Sequence, residues 1–131
     1  MTKLWWHLPD MDYQSTVTVS SKALEGVSFE VARMTFDRRM LLMKQVRELA
    51  QNLEFLRAGD SDVERMDAHI LNAQIERAYI TWGVVAIHGL IIDGEPATPA
   101  SLLDKGPESF VYEAIRAVRA ECGLTDEERN N

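Results

Sequence analysis

The stretch SDVERMDAHILNAQIERAYITWGVVAIHG, residues 61–89, decides how the rest of the chain is read. Ser61 followed by Glu64 forms a capping box, so a helix starts here. Leu71, Ile75, Ala78, Tyr79, Trp82, Val85 and Ala86 recur at helical spacing and supply a core stripe. Ile80, Val84 and Ile87 fall on the opposite side, which makes the second half apolar nearly all round. The spacing therefore predicts one long helix over 61–89, covered on more than one face. Two fates for the second apolar face stay open: burial under the hairpin, or a surface for self-association or a client protein. The run 78–92 is interrupted by Gly83, His88 and Gly89 and is shorter than the roughly 20 residues that cross a bilayer, so no membrane contact is expected.

Upstream, Thr35 is a good N-cap for a helix over 35–58. Leu42, Val46, Leu49, Leu53 and Leu56 form its stripe, and Ala58-Gly59 ends it. The short link to Ser61 predicts an antiparallel pair of long helices. Arg38 and Arg39 stand in the first turn, at the end of the helix dipole that disfavours cations. They imply nearby carboxylates, either from the C-terminal third of this chain or from a protein partner. Before them, Thr16–Val19 and Val27–Val31 alternate and are rich in β-branched residues, predicting a β-hairpin within 15–33. An isolated hairpin is marginal in water, so it must pack on helices or join other strands. Residues 1–14 form an aromatic lead with Trp5, Trp6 and Tyr13.

Downstream, Asp93-Gly94 marks a turn. Thr98-Pro99 opens a short helix stopped at Gly106, and Pro107 opens another whose apolar face is Phe110, Val111, Ala114, Ile115 and Val118. Gly123 ends it, so C-terminal helices occupy 98–123. Thr125 and Glu128 form a further capping box. The expected fold is mainly α within an α+β class: an antiparallel long-helix pair, C-terminal short helices and an N-terminal β-hairpin, all in one domain over 15–131.

The 131 residues carry a net charge of −7, and 93–131 hold four bases against nine acids. With no clustered basic face, nucleic acid is not an expected partner. The single Cys122 cannot form an internal disulfide, which fits a reducing compartment or indifference to redox; a cytoplasmic setting is expected. The lead is too short in apolar residues for a signal peptide. Among the histidines, His88 lies in an apolar run and reads as a buried, hydrogen-bonded side chain rather than a ligand or base. Asp93-Gly94-Glu95 lacks the further oxygen ligands calcium requires. No catalytic, cofactor-binding or metal-binding constellation is expected, and the chain reads as a protein-binding module, not an enzyme.

One order of elements carries a resemblance: Tyr79-Ile80-Thr81-Trp82-Gly83-Val84-Val85, then Asp93-Gly94-Glu95-Pro96-Ala97-Thr98, Leu102-Leu103, Gly106-Pro107-Glu108, Glu113-Ala114-Ile115 with Ala117-Val118, and the tail Leu124-Thr125-Asp126-Glu127-Glu128-Arg129-Asn130. In this order, 79–131 resembles the small tail assembly chaperones of long-tailed bacteriophages. The resemblance implies a protein of the host cytoplasm that coats the helical tape measure protein and recruits tail tube subunits, with no cofactor. The expected protein-binding residues are Ile80, Val84 and Ile87, with Trp5, Trp6, Arg38 and Arg39. A homo-oligomer is expected. The alternative is a structural tail or neck component forming a homo-oligomeric ring.

Overall fold

Residues 10–59 and 61–123 are described by the computed structural model. Strands β1 (Thr16–Ser20) and β2 (Ser28–Ala32) pair antiparallel, with Val17 opposite Val31 and Val19 opposite Phe29. The intervening turn is held from outside the hairpin. Glu113 accepts a hydrogen bond from the Ser21 hydroxyl at 2.5 Å and one from the Lys22 backbone N–H at 2.6 Å. Burial pushes the Glu113 carboxyl up, but these hydrogen bonds outweigh it and hold the group below its usual range.

Helix α1 (Phe36–Arg57) and helix α2 (Asp62–Gly83) follow as an antiparallel pair. Ser61 caps α2 as its sequence predicts, accepting from the Glu64 N–H at 3.0 Å. Thr35 occupies the N-cap position of α1 in an extended conformation, without a side-chain cap bond. The facing stripes are Leu42, Val46, Leu49, Leu53 and Leu56 on α1, and Ala68, Leu71, Ile75, Ala78 and Trp82 on α2. Both alternate steps of three and four residues, the spacing that lets two helices run nearly parallel to each other's axes.

Residues 61–89 are not one helix. α2 stops at Gly83 and runs without a loop into strand β3 (Val84–His88), which pairs antiparallel with β2. A Cβ on Gly83 would lie 2.5 Å from a Val118 methyl, so only glycine allows this close approach. Beyond it, Val84-Val85-Ala86-Ile87 suits a pleated surface better than a helix. Val84 and Ile87 are buried in the sheet and Ile80 is buried on α2, so the expected second helical face is core. Val85, expected in the core, is 52% exposed beside a register shift in β2–β3 pairing. The hairpin thus belongs to a three-stranded sheet of order β1-β2-β3.

Gly89 and the Asp93-Gly94 turn adopt positive φ around a short ribbon of β4 (Ile91–Ile92) and β5 (Glu95–Pro96). Helix α3 (Pro99–Lys105) begins with a Thr98–Ser101 capping box, and α4 (Glu108–Glu121) lies against the sheet and α2. Phe110 meets Phe29 edge to face at 5.4 Å between ring centroids, and Ala114, Ile115 and Val118 complete the core. The fold is mixed α+β and mainly helical. Among the described residues no helix is long and apolar enough to cross a membrane.

Candidate interaction surface

The α1–α2 pair is an insertion between two neighbouring strands, β2 and β3, and forms an arm. Its base is clasped by Arg38. The guanidinium donates to the Trp82 backbone carbonyl at 2.6 Å and lies 4.6 Å from the centroid of the Trp82 ring. This corrects the expectation that Arg38 pairs with a carboxylate: the helix-end carbonyl and the indole face neutralise its placement. Trp82 is half-buried, not a deep anchor, and among the described residues neither its indole N–H nor Arg38 Nε has a hydrogen-bond partner. Arg39 is exposed and points to the other side of the arm, toward Cys122. It makes no ion pair with a described residue. The acidic C-terminal third does engage an arginine: Arg33 stands 3.8 Å from Glu121.

Each arm helix carries a second apolar row, away from its sister. On α2 the row is Val63, Met66, Ile70, Ala73 and Ile80, with Arg77 the one charged position in its steps of three and four. Its C-terminal part is covered by α3 and α4: Ile80 is fully buried, and Ala73 and Arg77 line a cleft with Leu103 and Tyr112. Its N-terminal part is bare, with Val63, Met66 and Ile70 each more than half exposed. On α1, Phe36, Met40 and Met43 form a comparable row, and Phe55 is 77% exposed. Bare rows in this spacing are the seams into which a helix inserts its side chains. Methionine suits such a seam because its unbranched thioether adapts to varied partners.

Beside the α1 row lies a groove of about 290 Å³. Met34, Leu42, Met43, Val46, Tyr79 and Cys122 line it, with Arg39 and Arg47 at the rim. Burial pushes the Cys122 thiol up to about 11; Arg39 opposes this and Glu121 reinforces it. The group is a packed, protonated thiol, not a nucleophile.

The open face of the sheet is polar. His88 is exposed, contrary to expectation, and its Nε2 lies 2.7 Å from Glu30. That hydrogen bond is the largest influence holding the Glu30 carboxyl below its usual range. Among the described residues no group of three or more His, Cys, Asp or Glu side chains is placed to hold a metal ion.

The expected binding residues therefore separate. Ile80, Val84 and Ile87 are core, Arg38 is the clasp, Arg39 edges the groove, and Trp5 and Trp6 lie outside the described residues. The bare row Val63-Met66-Ile70 was missed by sequence reasoning, although its spacing is visible; Arg65, Asp67 and His69 interrupt it in the linear sequence. No family model, curated protein or solved structure matches the chain.

Proposed function

We propose that this protein binds an amphipathic helix of another protein along the bare seam of its arm and shields that helix until assembly. The supporting observation is the uncovered Val63-Met66-Ile70 row, the direct continuation of a face that α3 and α4 cover further along α2. A helical client completes what those helices begin. Together with the resemblance over 79–131, this supports the role of a phage tail assembly chaperone in the host cytoplasm. Its client is then the helical tape measure protein, with tail tube subunits recruited to the complex. The net charge of −7 favours keeping such an assembly soluble.

The test is co-expression with the tape measure protein of the phage that carries this chain. Wild type keeps the tape measure soluble and co-purifies with it, while Met66→Glu with Ile70→Glu loses both effects at unchanged melting temperature. Equal recovery with wild type and variant would overturn the seam, and no recovery with wild type would overturn the client.

One observation favours a second reading, a tail or neck component forming a homo-oligomeric ring. The arm has two different bare rows, and the α1 row of one copy can meet the α2 row of the next, a head-to-tail contact that closes into rings. Light scattering that gives one fixed oligomer, with the chain found in purified virions, supports the ring. A chain absent from virions supports the chaperone.

A further inference from the structure

We propose that the acidic C-terminal segment 124–131 docks back across the groove between α1 and the end of α4. This goes beyond client binding and does not rest on it. The position of the chain argues first. α4 ends at the groove: Cys122 is part of its lining, and Gly123 adopts φ +72 with its N–H donating to the Ala120 carbonyl at 3.1 Å. That is the inner hydrogen bond of a Schellman cap, which reverses the chain and sets the next apolar residue against the last helical turn. The next residue is Leu124, and the groove beside that turn is apolar.

Charge argues second. Arg39 and Arg47 edge the groove, and Arg119 stacks over the Tyr79 ring with its guanidinium carbon 4.9 Å from the centroid. Among the described residues none of these three has a carboxylate within 4.0 Å, and the nearby Glu121 is turned to Arg33. Segment 124–131 brings Asp126, Glu127 and Glu128 against a single Arg129. Reach is ample. Arg39 and Arg47 are separated by about 12 Å of helix, and eight extended residues span about 26 Å. Leu124 fills the apolar floor and the acids meet the arginine rim. The rival occupant from this chain is the N-terminal lead, which also enters beside Met34: the Ser15 carbonyl accepts the Arg33 N–H at 2.8 Å. The lead sets Lys3 and His7 against Asp10 and Asp12, and neither of these acids stands within 4.0 Å of the three arginines, so it matches the rim less well than three consecutive acids.

The test uses methionine-methyl NMR on the full chain with Cys122→Ala and a nitroxide at Asn131→Cys. The label should attenuate the Met34 and Met43 methyl signals severalfold and leave Met66 unchanged. Raised salt should weaken the effect, because the rim charges are exposed. Independently of any label, truncation after Gly123 should shift the Met34 and Met43 methyls and leave Met66 in place. Attenuation from a label at Thr2→Cys instead of Asn131→Cys gives the groove to the N-terminal lead. Attenuation seen only between mixed labelled and unlabelled chains gives it to a second copy. Unchanged Met34 and Met43 signals in every sample mean that nothing docks. Each of these three outcomes overturns the proposal.

Discussion

The body and the arm are built from the same apolar spacing and meet different fates. In the body, α4 buries Phe110, Ala114, Ile115 and Val118 against β2 and α2, and Phe29 and Val31 are fully covered. In the arm, α1 runs for 22 residues and buries only Leu42 and Leu53. Its other inward leucines and valine are half-covered, and its outer row faces solvent. Periodicity thus identifies an apolar face, while the neighbours supplied by topology decide whether that face is core or surface. The outer part of α1 packs chiefly on its sister helix. The C-terminal half of α2 also meets α3, α4 and the sheet.

The contrast is broken most severely in the body. Phe110→Ala removes a fully buried ring from the Phe29 contact and should cost about 3–5 kcal/mol. A loss under 1 kcal/mol in urea unfolding would mean that the body is no better packed than the arm. Gly83→Ala drives a methyl against Val118 at the helix-to-strand joint and should cost about 1–3 kcal/mol. Neutrality would show that the joint can move apart. At the base of the arm, Arg38→Ala and Trp82→Ala should each destabilise, with a coupling of about 1 kcal/mol in a double-mutant cycle. Strictly additive losses would dissolve the clasp. The smallest effect belongs to the outer row: Met66→Ser with Ile70→Ser should change stability by no more than about 0.5 kcal/mol per site. A larger drop would place these side chains in a packed core.

Much of this contrast was legible in the sequence. The β-branched alternation of β1 and β2, the Ser61 and Thr98 caps, the stop at Gly106 and the apolar face of α4 each depend on a few adjacent residues. β3 was not legible, because Val84, Ile87 and Ile80 continue the helical spacing of α2 and a short β-branched run fits either period. What separates the two is the pairing of β3 with β2, a contact distant in sequence. The same non-locality hid the partner of Arg38, since a backbone carbonyl leaves no mark in composition. His88 was misplaced for a related reason: on a strand it alternates outward from Ile87, whereas on a helix the surrounding apolar run encloses it. The bare seam was visible as spacing, but no sequence rule states where α3 and α4 stop covering it.

The insertion of the arm between β2 and β3 also sets the order in which the chain gains structure. Glu30 and His88 meet across the sheet although they are 58 positions apart, a closure that a disordered chain makes slowly. α1 and α2 need only a short link to find each other, and helical hairpins form fast from local contacts. Once they pair, the start of α1 and the end of α2 stand side by side, and β3 is delivered to β2 as an immediate neighbour. The arm therefore acts as a kinetic shortcut. Leu53→Ala or Ile75→Ala should slow refolding of the sheet in stopped-flow measurements, although neither residue touches a strand's hydrogen-bond ladder; an unchanged refolding rate would refute the shortcut.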